Sequence, residues 1–163
     1  MGLFSFGKKA VAAELAGINL VGHFIDADSC WGDVCGLRSY KTDGPIATCE
    51  MAFARAALVK SFLKMNQSEG IVDRIDMSAD QFILECFKDE DTDATRSFYG
   101  ESLATAAPKR VAFYAQHTFM TSSLGSALGA TLGVPGMPSV EVGQLFDEVV
   151  RQAKVLTAKI RIV

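Results

Sequence analysis

The stretch HFIDADSCWGDVC is the densest group of residues in this chain whose side chains could do chemistry. It contains His23, Cys30 and Cys35 together with three carboxylates. Imidazole and thiolate groups bind zinc, and a thiol next to a histidine can act as a nucleophile. These three residues are therefore the candidates for a metal site or for thiol chemistry.

The spacing of these candidates does not match a known ligand pattern. Four residues separate Cys30 from Cys35, one histidine lies nearby, and no second ligand pair follows. Structural zinc sites use four ligands that come in closely spaced pairs. We therefore predict no metal and no cofactor. A simpler interpretation is that Asp26 and Asp28 end a helix and begin a turn, and that Trp31 packs onto the protein.

Other motifs also fail to indicate an enzyme. The sequence has no G-x-S-x-G elbow and no glycine-rich phosphate loop. His117, the only other histidine, follows Phe113 by four residues and precedes Met120 by three, a spacing typical of a hydrogen-bonded histidine in a core. The sequence favours a non-enzymatic protein and leaves an enzyme as an alternative. The eleven Phe and six Met residues leave open whether the fold encloses a pocket for an apolar molecule.

The composition is that of one globular domain. The 163 residues are 49% hydrophobic and 21% charged, with a net charge of −3, so the chain is long enough to bury a core. The longest basic runs are pairs, which are too short to follow a nucleic-acid backbone, and no nucleic-acid partner is predicted. Four cysteines are too few for a disulfide scaffold, so we expect a reduced, cytoplasmic protein.

The first residues combine apolar side chains with positive charge. Leu3, Phe4 and Phe6 precede Lys8 and Lys9, the opposite order from a secretory signal, so no such signal is predicted. Residues 1–8 are expected to form a flexible segment. Because an apolar cluster followed by lysines can dock on an anionic membrane surface, peripheral membrane association is one alternative function.

Helical periodicity runs through most of the chain and predicts an all-α fold, a bundle of about six helices over residues 1–163. Residues 26–44 lack this periodicity and contain several glycines, so we expect a long irregular connection after the first helix. The tail KIRIV alternates like a strand, with GLRSY as its candidate partner. The predicted helices cover residues 9–25, 45–65, a short segment after a capping box at Ser78 and Gln81, 94–106, 108–133 and 139–158.

The predicted fifth helix carries a row of small residues beside a row of large ones. A glycine inside a helix costs about 1 kcal/mol relative to alanine, and close approach of another helix can offset that cost. The segment has too few large aliphatic residues to predict a membrane span. We predict that this glycine–leucine face packs against a helix of the same chain or of a second copy. Its residues are Gly125, Gly129, Gly133, Leu124, Leu128 and Leu132.

Three functional hypotheses follow, in this order. The first is a non-enzymatic soluble protein that acts through protein–protein contacts and forms a homo-oligomer through the glycine–leucine face. The second is a peripheral membrane protein held by its apolar and basic N-terminus. The third is a metal- or thiol-dependent enzyme or sensor that uses the region from His23 to Cys35.

Overall fold

The computed structural model describes residues 8–37, 44–65, 67–88, 90–133 and 139–163. Within these ranges the chain forms eight helices and one two-stranded sheet, so the all-α class is confirmed, whereas the expected number of six helices is wrong. The helices are α1 (Ala13–Phe24), α2 (Ala27–Gly36), α3 (Gly44–Lys64), α4 (Glu69–Phe87), α5 (Asp93–Tyr99), α6 (Leu103–Ala115), α7 (Thr121–Thr131) and α8 (Ser139–Thr157). The strands are β1 (Lys9–Val11) and β2 (Ile160–Ile162).

The irregular connection expected after the first helix is wrong in its first part, where the structure contains α2. The Asp26 carboxylate caps this helix by accepting a hydrogen bond from the backbone N–H of Ser29 at 3.0 Å. Only Cys30 and Val34 of α2 are buried. One pair of apolar residues four apart is too short a pattern to predict a helix from periodicity. The rest of the expected connection, residues 38–43, lies outside the described residues.

The capping box predicted at Ser78 is also wrong. Ser78 lies inside α4, which begins nine residues earlier at Glu69, and its hydroxyl donates to the carbonyl of Ile75 at 3.1 Å. Serine makes such local backbone bonds within helices as well as at their ends. The capping motif alone therefore does not distinguish a serine at the start of a helix from a serine inside one.

The two helices predicted over residues 94–133 are three helices in the structure. Gly100 ends α5 with a φ of 72°, a left-handed conformation that favours glycine. Ser102 then caps α6, so that Pro108 lies inside α6 instead of opening a helix. The single long helix expected from Pro108 to Gly133 is interrupted between Ala115 and Thr121. Neither proline nor glycine marks the position where α6 ends, so the sequence gives no such signal for this break.

The strand predicted at KIRIV is confirmed as β2, but its partner is β1. The two strands are parallel, with Lys9 opposite Ile160 and Val11 opposite Ile162. The first helix consequently begins at Ala13 and not at Lys9. The candidate partner GLRSY lies mostly outside the described residues.

The central helix is α3, and every other helix of the described chain packs against it. Its apolar side chains lie on all sides, among them the fully buried Met51, Phe53 and Val59. An all-round apolar surface is typical of a buried helix. A buried polar side chain of α3 must therefore find its partners inside the protein.

Three charged side chains of α3 are buried, and each is paired with an opposite charge on another helix. Leaving one partner of a buried ion pair alone costs about 3–5 kcal/mol, so these pairs help to select which helix lies on which side of α3. The pairs are Glu50 with Arg110 of α6 (2.6 Å), Arg55 with Asp33 of α2, and Lys60 with Asp76 of α4 (3.2 Å).

Glu50 is the most completely satisfied of these buried charges. Its carboxylate accepts hydrogen bonds from the hydroxyls of Tyr99 (2.7 Å) and Tyr114 (2.5 Å). It also accepts from Nε (3.0 Å) and Nη2 (2.6 Å) of Arg110. Tyr99 belongs to α5, and the other two donors belong to α6, so this network joins both helices to α3. The Glu50 side chain at its centre has no solvent exposure.

The two phenols in this network predict a loss of stability at alkaline pH. Burial, with the neighbouring Glu50 carboxylate, raises the pKa of Tyr99 and of Tyr114 above the ordinary value of 10.0. The unfolded chain therefore releases these protons first, and unfolding becomes more favourable as the pH rises above about 10, by up to about 1.4 kcal/mol per pH unit for each phenol.

Urea unfolding at pH 8 to 11 measures this effect. The variant in which both tyrosines are replaced by phenylalanine is the control, because it keeps the lysines that also titrate in this range. We expect a shallower decline in stability above pH 10 for this variant. Equal slopes for the two proteins would contradict the assignment.

Candidate functional site

The glycine–leucine face predicted for self-association is in contact with α8 of the same chain. A Cβ atom added at Gly125 would lie 3.1 Å from the Cβ of Val142, and one added at Gly143 would lie 3.7 Å from the backbone N of Ser122. Gly125 and Gly129 are buried, whereas Gly133 is exposed and ends the helix region with a φ of 67°. Small residues thus let α7 and α8 approach closely.

The leucine ridge of this face is also covered. Leu124, Leu128 and Leu132 each have 0% solvent exposure and belong to the main hydrophobic core. Self-association through this face stays a prediction, and it would require α7 and α8 to separate. The predicted close helix packing is present within one chain.

The structure separates the three candidates for metal or thiol chemistry. His23 is exposed at the end of α1, Cys30 is buried in α2, and Cys35 is exposed near the end of α2. In the part of the chain that the structure describes, no three His, Cys, Asp or Glu side chains are grouped so that they could hold a metal ion. Burial raises the pKa of the Cys30 thiol, which keeps the group protonated and poorly nucleophilic at neutral pH.

Arg55, which the sequence did not single out, organises the residues around Cys30. Its Nη1 donates to the carbonyl of Phe24 (3.3 Å), to the hydroxyl of Ser29 (3.0 Å) and to the Cys30 sulfur (3.4 Å). Its Nη2 pairs with Asp33. The arginine therefore ties the end of α1 and the first turns of α2 to α3.

Arg55 lines a polar pocket of about 530 Å³ between α1, α2, α3 and α8. His23, Asp26 and Asp33 also line it, as does Glu148. Two of its carboxylates already have partners in the protein, because Asp33 pairs with Arg55 and Glu148 pairs with Arg151 at 2.5 Å. This pocket brings together part of the stretch from His23 to Cys35. The pairing of its carboxylates indicates a structural role.

A second cavity, here called the apolar cleft, lies on the other side of the junction between α1 and α2. It has a volume of about 640 Å³ and is bounded by α2, α3, α4 and the start of α5. Hydrophobic side chains dominate its described walls, with a few hydroxyl, thiol and carboxylate groups at intervals. The largest of the apolar residues are Ile25, Trp31, Pro45, Phe82 and Phe87.

Glycines allow two of the aromatic rings to take their places in the apolar cleft. A Cβ atom at Gly22 would lie 3.0 Å from the ring of Phe82, and a Cβ atom at Gly44 would lie 2.9 Å from the ring of Trp31. Any larger residue at either glycine would push the ring aside. The sequence signal for the cleft is therefore weak, since its rings and glycines come from helices far apart in the chain.

Two cysteines line the apolar cleft without forming a reactive centre. Cys49 is buried, and burial raises the pKa of its thiol to about 12, with Glu50 and Glu90 adding to the effect. Burial also raises the pKa of Cys86. Both groups remain neutral thiols at physiological pH, so they contribute a weakly polar surface and not a nucleophile.

The alternative of membrane docking involves residues that the structure describes only in part. Leu3, Phe4 and Phe6 lie outside the described residues, whereas Lys8 and Lys9 are exposed beside and within β1. Within the described ranges, each helix is too short or too polar to cross a membrane. Docking through the N-terminus stays a prediction.

Comparisons with known proteins give no family assignment, since no protein-family model, curated protein or solved structure matches the chain.

Proposed function

We propose that this protein is a non-enzymatic binding protein that holds a compact apolar molecule in the apolar cleft. The observation that carries this proposal is the cleft itself, about 640 Å³ in volume and walled by aromatic and aliphatic side chains of several helices. Pockets for small ligands in proteins are typically about 300–1,000 Å³ and mostly apolar, with a few polar groups that orient the ligand.

The chemistry of the cleft favours binding over catalysis. Both of its thiols have a raised pKa and stay neutral, and no histidine is among its described lining residues. A general base near neutral pH is most often a histidine. A bound molecule would meet hydrophobic rings and hydroxyls such as Thr48, whose Oγ1 donates to the carbonyl of Gly44 at 2.9 Å and can still accept a hydrogen bond.

Equilibrium dialysis with the neutral aromatic probe N-phenyl-1-naphthylamine tests this function. We expect saturable binding of one probe per chain in the micromolar range. The variant Ala27→Trp places a large ring at an exposed residue of the cleft wall and should weaken binding by at least about tenfold, because the ring fills space that the probe needs.

The matched control is Ala130→Trp, which introduces the same ring at an exposed position of α7 away from the described cavities. It should bind the probe as the wild type does. Binding that never saturates, or equal binding by the two tryptophan variants, would contradict the proposal.

A further inference from the structure

The charged side chains among the described lining residues of the apolar cleft have one sign. Asp26 and Glu90 are the charged side chains among its described lining residues, and no lysine, arginine or histidine is among them. Both carboxylates are exposed, and they belong to different parts of the chain, one at the junction of α1 and α2 and the other before α5. These two carboxylates therefore favour a positive charge at the polar end of a ligand in the cleft.

The aromatic walls of the cleft also favour a ligand with a positive charge. Trp31, Phe82 and Phe87 line the cleft, and the face of an aromatic ring carries partial negative charge. A cation over such a ring face is attracted to it, and the attraction is stronger where water is excluded. An anion would meet two carboxylates and aromatic rings, with no opposite charge among the described lining residues.

The capping role of Asp26 is compatible with this interaction. Its Oδ2 accepts the hydrogen bond from the N–H of Ser29 at 3.0 Å, which fixes the side chain at the mouth of the cleft. A capping carboxylate has a second oxygen and further lone pairs with which to accept from a ligand.

We propose that the ligand of the apolar cleft is a lipophilic cation, an organic ammonium whose apolar body lies against the aromatic walls and whose charge faces Asp26 and Glu90. This inference rests on the proposed binding function and adds the charge of the ligand. It predicts weaker binding of fatty acids and other apolar anions than of ammonium compounds of similar size.

Three naphthalene probes of similar shape but different charge separate two contributions to affinity, that of the ligand's charge and that of its apolar body. They are (2-naphthylmethyl)trimethylammonium, its neutral carbon analogue 2-neopentylnaphthalene, and the anion 2-naphthylmethanesulfonate. Affinities are measured by displacement of N-phenyl-1-naphthylamine. We expect the ammonium to bind at least about tenfold more tightly than the sulfonate, and its affinity to fall when the salt concentration is raised.

A double variant that removes both charges tests whether Asp26 and Glu90 attract the ammonium. Asp26→Asn with Glu90→Gln should weaken binding of the ammonium by about tenfold and change binding of the neutral probe by less than twofold, because asparagine retains the helix cap. Asp28→Asn is the control, since Asp28 is an exposed carboxylate of α2 outside the described walls of the cleft, and it should bind like the wild type.

The outcomes distinguish this inference from the proposed function. Binding of the neutral probe with no preference for the ammonium over the sulfonate would overturn the cation assignment and leave the apolar site intact. Equal loss of all three probes in the double variant would also overturn it. Failure of every probe to bind the wild type would remove both proposals.

Discussion

Replacing Glu50 by alanine is expected to lower the free energy of unfolding by about 3–5 kcal/mol. The substitution leaves the Arg110 guanidinium and the hydroxyls of Tyr99 and Tyr114 without the carboxylate to which they donate. Unpaired polar groups in a buried site retain the cost of leaving water without the compensating bond. A loss of this size is a large share of the total stability of an ordinary domain.

Urea unfolding followed by circular dichroism measures this loss. The control is Glu14→Ala, which breaks the bidentate pair between Glu14 and Arg74, where both side chains are about half exposed. Exposed ion pairs contribute little to stability because water screens them, so the control should remain close to the wild type. Similar losses in the two variants would show that the Glu50 network does not have the role assigned to it.

Replacing Gly125 by leucine is expected to lower the free energy of unfolding by about 3 kcal/mol or more, because overpacking of a tight contact forces the neighbouring helix to move. The first side-chain atom alone would lie 3.1 Å from the Cβ of Val142 and 3.4 Å from the backbone N of Gly143. A leucine adds three further carbons in the same direction. The contact between α7 and α8 cannot accommodate them without separating.

The control for this prediction is Gly32→Ala in α2, where an added Cβ meets nothing within 4 Å. Alanine is the better helix former by about 1 kcal/mol, so this variant should be equally stable or more stable than the wild type. Thermal melts of both variants, together with their masses by light scattering, complete the test. If Gly125→Leu changed only the oligomeric mass and left the melting temperature unchanged, the face would serve assembly and not the packing of one chain.

The features of the fold that could be predicted are those with long local patterns. The central helix α3 and the last helix α8 agree with their predicted bounds to within about one residue, because apolar residues and helix starts mark them clearly. The helix α2 and the break after Ala115 were missed. In each case the deciding contacts, such as burial of Cys30 and Val34 against neighbouring helices, are tertiary and leave little local signal.

The candidate site was predictable only in part. The stretch from His23 to Cys35 does border both cavities, but Asp26 and Trp31 line the apolar cleft, whereas the candidate ligands Cys30 and Cys35 do not. Phe82 joins the site from α4, far along the chain. No spacing rule connects residues so distant, because helix packing and the glycine at position 22 bring them together.

Mapping of backbone amide shifts by nuclear magnetic resonance, with and without N-phenyl-1-naphthylamine, shows where the probe binds. We expect the largest shifts on residues of the apolar cleft such as Ile25, Thr48 and Phe82. Glu148 and Gln152, which line the polar pocket on the other side of the α1–α2 junction, should change little. Shifts centred on the polar pocket, or no saturable shifts at all, would contradict the assignment of the cleft as a binding site.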